Sequence, residues 1–599
     1  MPYTLAFKKY QCIGLKALMT GVISKQAYIG SCIATGVLLA APTGAASNPM
    51  LKIGIVQRFG EQPKDTLTIQ ALPGDRLTLR FADQGQTKTL ATNKVQFDIQ
   101  PQPLPQPVVR ERVVLGVFRS FESAETQALD YQMQGIPVEV AQPNKWQVWA
   151  KRDRYSTPKK REKLVKTLKE QGKSVFLDQK RLVQKPLLSW VVNGYRYSRE
   201  SVSITSGKQV LQVQKNRYGG TLKFQPNTYG SYTLVNQVPI ETYLRGVVPY
   251  EIGFSAPLTS IQAQAIIART YALRNLRRFK IDDYELCADT QCQVYRGLSG
   301  AKPRVDDAIA TTAGQVLTYD NELIDALYSS TTGGVTASFE EVWEGDPRPY
   351  LQTKIDAAPN PVWDLKTRSL ADPANFKTFV NLKQGFNEVT WPTFRWRIEA
   401  PLAEMNQILR KFLRQKQHPV AEFGTIQKLE ITKRSHGGRV QTLKVTTDVG
   451  AVELKKDEIV QGIRGAKSLL FYVEPMYEPQ PSAVNTSENQ PEPQSSASPP
   501  EKVLEGYRFV GGGWGHAVGL SQTGAQHLSK LGWSASKILD FYYPGTTLEP
   551  LTDTIARWRE PEIPEPSIAV SEEQDEAGFW GLKLPQIDWQ GFWEWLPFT

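Results

Sequence analysis

At 599 residues the chain is too long for one hydrophobic core, and its length points to about three to five domains. Forty per cent hydrophobic and 22% charged residues is the composition of a soluble globular protein and names no function. A net charge of +11 suits an anionic matrix such as a cell wall, but no zinc-finger, RNP or helix-turn-helix pattern accompanies it, which excludes nucleic acid as the partner.

In chain order, residues 1–46 carry Lys8, Lys9, Lys16 and Lys25 with no acid, then an apolar run from Ala27 to Ala41 and the small residues Gly44-Ala45-Ala46. This is the pattern of a secretory signal peptide, which predicts export to the periplasm or cell envelope. Left uncleaved, it would be an N-terminal membrane anchor. Cys32 lies inside the apolar run, which argues against lipoprotein processing.

Residues 51–106 alternate apolar and polar positions around Pro73-Gly74-Asp75 and are expected to form a small β module. Gln100 to Pro107 reads as a stiff extended linker. Within residues 107–182, Val113 to Phe118 begins two successive strand-helix-strand units, a small βαββαβ domain. The duplication resembles the sporulation-related-repeat (SPOR) domain, which implies binding to glycan strands stripped of peptide. Residues 151–173 hold ten Lys/Arg against three acids, a solvated helix face or an attraction to wall polymer.

A larger α+β region is expected over 188–548, with a disordered Pro/Ser/Gln/Glu insertion at 474–502 and an acidic, then Trp-rich, tail at 549–599. The fold class is therefore α+β multidomain. Inside this region, Val248-Pro249-Tyr250-Glu251 precedes an amphipathic helix with one apolar stripe, Leu258, Ile261, Ala265, Ala268 and Ala272, and with Gln262 and Arg269 beside it.

Five blocks follow in order: Tyr232 to Val248, the Val248–Ala268 helix segment, Cys287-Ala-Asp-Thr-Gln-Cys-Gln-Val-Tyr295, Tyr328-Ser-Ser-Thr-Thr-Gly-Gly334, and Gly511-Gly-Gly-Trp-Gly-His-Ala-Val-Gly-Leu-Ser-Gln-Thr-Gly-Ala525. Together they resemble the stage II sporulation protein D (SpoIID/LytB) family, whose members bind or cleave peptidoglycan glycan. The resemblance implies a lytic transglycosylase with Glu251 as its one acid/base, and with Arg269 and Tyr328 in the cleft. It leaves open a non-catalytic wall-binding protein or amidase enhancer, with a cell-wall amidase as partner. Gln262 stands where many relatives have Lys, Ser329 where they have His and Ala517 where they have Gly. His516 and Gln522 belong either to a tight Gly-rich turn or to one wall of the glycan cleft. A single acid/base carboxyl must stay partly protonated in an apolar setting, for which Tyr250, Ile252 and Phe254 are expected to provide the wall.

Some relatives hold zinc at the third block, with a His adjacent to the second Cys. Here Cys287 and Cys292 have no His beside them; Gln291 occupies that place, and the chain's four histidines (His418, His436, His516 and His527) are remote in sequence. Two thiolates fall short of the four ligands of a closed zinc site. In an oxidising compartment a local disulfide is favoured over metal or free thiols, and no cofactor is expected.

Overall fold

Alternating apolar residues build two interleaved sheets from residues 50–239. The strands β1 (Met50–Phe59), β2 (Leu67–Ala71), β3 (Leu77–Asp83), β4 (Gln86–Thr92) and β5 (Lys94–Phe118) lead into α1 (Phe121–Met133), β6 (Val138–Ala141), β7 (Trp146–Ala150), α2 (Pro158–Glu170) and β8 (Phe176–Val192). Six strands follow: β9 (Tyr195–Ser198), β10 (Val202–Ser206), β11 (Val210–Val213), β12 (Asn216–Gly219), β13 (Thr221–Pro226) and β14 (Tyr232–Pro239). This computed structural model describes residues 48–478 and 503–562. The expected signal segment, all but the first five residues of the insertion, and the Trp-rich end of the tail lie outside the described residues.

The expected separate module at 51–106 does not exist as a body of its own. β1 pairs with β14 from Met50↔Pro239 to Phe59↔Tyr232, β3 pairs with β10, and β2 with β11. The seven-stranded sheet thus runs in the order β15-β1-β14-β13-β10-β3-β4, where β15 is Leu286–Cys287. Alternation specifies a half-buried strand but not its partner, so the sequence cannot show that the pairing closes across some 180 residues.

The expected linker is also paired. Gln100 to Pro103 lie opposite Leu187 to Gln184, and the β5–β8 ladder runs from Phe97↔Trp190 to Val114↔Phe176. Extended backbone was expected there; its hydrogen bonds go to β8 rather than to water. The core region therefore does not begin at 188, since β8 passes through that position unbroken. The strand-helix-strand-strand-helix-strand order of the repeat unit is present between β5 and β8.

Four helices follow: α3 (Ile240–Leu244), α4 (Val248–Glu251), α5 (Leu258–Arg274) and, after β15, α6 (Pro303–Thr311). α5 carries more than one apolar stripe. Ile261, Ala265, Ala268 and Ala272 face one core with the sheets, while Ala263, Ile266, Ile267 and Tyr271 face a second core built from the C-terminal half. A helix apolar on both sides is a shared wall between cores. Leu258, expected in the stripe, is exposed. Truncating Ile261 on one side, or Ile266 or Ile267 on the other, to Ala should cost about 2–5 kcal/mol per residue.

The second half holds β16 (Gln315–Tyr319), β17 (Glu322–Leu323), β18 (Tyr328–Ser329), α7 (Pro373–Asn381), β19 (Arg395–Pro401), α8 (Leu402–Gln415), β20 (Ile426–Arg434), β21 (Val440–Thr447), β22 (Gly450–Lys455), α9 (Asp457–Gly462) and β23 (Phe471–Tyr477). After the insertion come β24 (Leu504–Gly512), β25 (Leu520–Ser521), α10 (Gln522–Lys530), α11 (Ala535–Tyr542) and β26 (Thr547–Pro550). β23 continues past 474 to Tyr477 and pairs with β24, so the insertion begins later than expected. The tail is not detached at 549 either: β26 pairs with β16, and the Trp558 ring lies under the Arg277 guanidinium. The chain is a mixed α+β protein with several sheets. Among the described residues no helix is long and apolar enough to cross a membrane.

Candidate functional site

Glu251 is the last residue of α4, a single turn that Pro249 opens and that stops before Gly253, whose φ of +94° suits glycine. Its side chain reaches three other segments. Oε1 accepts the Val294 N–H at 2.8 Å, Oε2 accepts the Gln522 amide at 3.3 Å, and the Tyr328 hydroxyl donates to the same carboxylate. Burial raises the carboxyl pKa above its ordinary value, and the three donors draw it part of the way back. The residue is only half-buried, so the raised acid keeps a path to solvent.

The donors are themselves fixed. Tyr243 of α3 donates to Gln293 Oε1 at 3.1 Å, and Gln293 Nε2 donates to the Tyr328 oxygen at 3.1 Å, which turns the Tyr328 proton toward Glu251. Tyr328 and Tyr243 titrate well above the usual phenol range, mainly through burial, with the Glu251 charge adding to it. Tyr271 of α5 is raised for the same first reason and packs edge-on to Tyr328, 6.4 Å between ring centres. Gln522 is the first residue of α10, whose cap is Ser521, and Gln526 one turn on donates to the Ile252 carbonyl at 2.9 Å.

Cys287 and Cys292 are joined by a disulfide. It closes the loop just before Gln293 and Val294, the two residues that hold Tyr328 and Glu251. Among the described residues no group of three or more His, Cys, Asp or Glu side chains is placed to hold a metal ion.

Two expected site residues are elsewhere. Arg269 is fully buried and makes a bidentate ion pair with Glu241 of α3, 2.7 Å for each bond, with a third bond to the Gln315 carbonyl at 3.0 Å. It staples α5 to α3 and does not line a cleft. Gln262 donates to Thr311 of α6 at 3.1 Å, a helix–helix contact. Spacing placed both residues beside the stripe, but their partners lie 28 and 49 residues away.

Tyr328 and Gln522 do meet at Glu251. His516 acts one step back: Nδ1 accepts the Val518 N–H at 3.0 Å, the ring packs on Trp343, and its other nitrogen serves the Tyr328 backbone. Burial pushes it down to about 4, so it is neutral and clips the Gly-rich loop to β18. β18 and β25 pair in parallel, Tyr328↔Leu520 and Ser329↔Ser521. The expected wall is only partly there: Ile252 is buried, Tyr250 stacks edge-on with Phe254, and Phe254 is 44% exposed. The tyrosines supply the rest.

Sequence reasoning missed Gln293, Val294, Tyr243 and Tyr271. Gln293 and Val294 lay inside the Cys287–Tyr295 block, whose cysteines drew the attention. Also missed was Glu388, buried, which accepts the N–H groups of Thr332 (2.6 Å), Gly333 (2.8 Å) and Gly334 (3.2 Å) and the Ser521 hydroxyl. Beside it, Asp356 accepts from Asn387, Tyr542 and the shared Thr332 hydroxyl, and burial plus the Glu388 charge hold it well above the carboxylate range.

Residues 228–319, which contain Glu251, its short helix and the disulfide loop, match the family model described as stage II sporulation protein. Residues 337–519 match a domain of unknown function, DUF8618. The chain is 29% identical over 381 residues to the amidase enhancer of Bacillus subtilis (strain 168), a match covering 58% of this chain and 49% of that protein. It is 29% identical over 194 residues to the stage II sporulation protein D of the same organism, covering 29% and 55%. With the stage II sporulation protein D of Bacillus amyloliquefaciens it shares 24% over 359 residues, covering 56% and 83%. The chain thus spans about half the length of the two Bacillus subtilis relatives. The matched segment carries the site, and it is a domain of the stage II sporulation protein (SpoIID) family.

Proposed function

We propose that the protein is an exported peptidoglycan lytic transglycosylase of the cell envelope that cleaves denuded glycan. The observation that carries this reading is Glu251: one half-buried carboxyl with a raised pKa, reachable from solvent and oriented by three donors from three other segments. Protonated Glu251 gives its proton to the glycosidic oxygen as the bond to the muramyl C1 breaks. The C6 hydroxyl oxygen of the same sugar bonds to C1, and its proton passes to the Glu251 carboxylate. The acid is regenerated, a 1,6-anhydro ring forms, and no second carboxylate or water is needed, unlike the paired-carboxyl glycosidases. Tyr328 and Gln522 hold the carboxylate between the two transfers.

A second reading, a non-catalytic wall-binding protein that enhances a cell-wall amidase, is favoured by the likeness to the amidase enhancer and by the burial of Arg269 in an ion pair with Glu241. Digestion of denuded glycan, with mass analysis of the soluble products, separates them. Anhydro-muramic ends from wild type and none from Glu251→Gln support the first; none from either supports the second. Binding to the glycan by the repeat unit is part of both proposals.

A further inference from the structure

We propose that the N-terminal strand-helix unit is a working part of the Glu251 site, with Trp146 as a positioning residue that acts through Gln291. The proposal rests on the function proposed above only for its catalytic readout. Trp146 of β7 donates its indole N–H to Gln291 Oε1 at 3.0 Å. Gln291 is the residue before Cys292, and its carbonyl also accepts from Arg278 at 3.1 Å. Arg278 in turn forms an ion pair with Glu122 of α1 and a 2.9 Å bond to Asn275 just past α5. The Trp146 ring packs between Phe121 of α1 (5.1 Å) and Phe279 (5.0 Å), so the indole cannot turn away. The N-terminal unit therefore holds the Gln291 side chain directly and its backbone carbonyl only through Arg278, which Glu122 pairs. Two and three residues on, Gln293 orients Tyr328, and Val294 bonds Glu251 directly.

The disulfide makes this path short. With Cys292 tied to Cys287, and Cys287 in the strand β15 beside β1, displacement at Gln291 cannot dissipate into a slack loop and passes to Gln293 and Val294. The Val294 N–H lowers the pKa of Glu251. If that bond loosens, the carboxyl pKa rises further, the protonated form persists to higher pH, and the carboxylate is less well aimed for the second proton transfer.

The test uses the full chain. Trp146→Phe keeps an aromatic ring in the core but removes the N–H together with part of the buried indole; Gln291→Ala, at an exposed side chain, deletes the acceptor alone and controls for the packing defect of the first variant. For each, anhydro-product release is measured across pH. The expected result is a fall in kcat of about three- to tenfold, what one hydrogen bond of roughly 1 kcal/mol gives, with KM unchanged and the high-pH limb displaced upward. The double variant should be no worse than either single one, since both cut the same link. A lowered melting temperature with an unmoved limb means a structural contact only and overturns the proposal. A second readout needs no activity: the pH midpoint of the Glu251 carboxyl, followed by infrared difference spectra assigned with Glu251→Gln. An upward midpoint in both variants supports the link even if wild type proves non-catalytic. An unchanged midpoint sinks it even if wild type is an active transglycosylase.

Discussion

Two carboxyl sites in this protein share a raised pKa and differ in nearly everything else. At Glu251 burial raises the acid, yet the residue is only half-buried, and its donors come from the 286–294 loop, β18 and α10. At Asp356 burial and the Glu388 charge raise the acid, but both carboxylates are sealed from solvent, and every partner belongs to a fixed turn or a buried ring. A perturbed pKa by itself points as readily to a structural knot as to a catalyst; access decides between them. The sealed pair holds the Thr332–Gly334 turn and Ser521, and so sets the place from which Tyr328 and Gln522 reach Glu251. One carboxyl is open to a reactant, as the proposed function requires, and the other pair holds its surroundings still.

The comparison breaks most visibly at Glu251. Glu251→Gln cannot exchange a proton and should lower anhydro-product release by about two to four powers of ten, with no loss of melting temperature. The sign follows from linkage. A carboxyl whose folded pKa is raised disfavours the folded state once it ionises, so a neutral amide is equal or better at neutral pH. Retention of more than about a tenth of the activity, far above what proton-transfer catalysis allows, would falsify the assignment.

At the structural end, Glu241→Ala leaves the Arg269 guanidinium buried without its carboxylate. It should cost about 3–5 kcal/mol, read as a shift in the denaturant midpoint. A variant within 1 kcal/mol of wild type, well short of that cost, would mean that Glu241 is not what holds the buried Arg269 charge.

A smaller effect sharpens the contrast by pH. Asp356 binds its proton more tightly when folded, so its contribution is full below the unfolded value of about 3.9 and is lost as pH rises through the raised folded value. Asp356→Asn keeps the shape and a donor, and should flatten the fall of melting temperature from acid to mildly alkaline pH. A slope equal to that of wild type would mean that Asp356 does not carry the proton.

The smallest effect is expected at Ala517, which sits at φ +65° in the Gly-rich loop. Ala517→Gly relieves a left-handed alanine and should raise stability by up to about 1 kcal/mol without moving the pH–rate profile. A drop in stability would mean that the Ala517 methyl packs usefully in its buried setting.

What the sequence shows and what it hides divide along the same physical line. Glu251 was legible only through the resemblance of its block to the SpoIID family; by composition and spacing alone it is one acid among many. Tyr328 and Gln522 were legible as members of ordered blocks. Arg269 was misplaced because its charge partner sits in another helix, and neither residue carries a mark of the other. The strands were visible in their alternation, while their partners were not: Met50 lies opposite Pro239, and no local period encodes that. The Asp356–Glu388 knot left no trace at all, since both acids sit in irregular segments and come together only when three loops close on one turn.

The β5–β8 ladder has a further consequence. The chain enters the N-terminal unit at Val114 and leaves it at Phe176, and these two residues are opposite partners on the ladder. In topological terms the unit is an insertion at the tip of a long hairpin, and its entry and exit are adjacent. Such an element can be lost, exchanged or enlarged between related chains without rethreading either sheet, because a tight turn joining the two strands would close the same hairpin. Excision at that point, rather than at the apparent linker or at residue 188, is the cut that leaves both sheets threaded, though it takes Trp146 from Gln291 and Glu122 from Arg278.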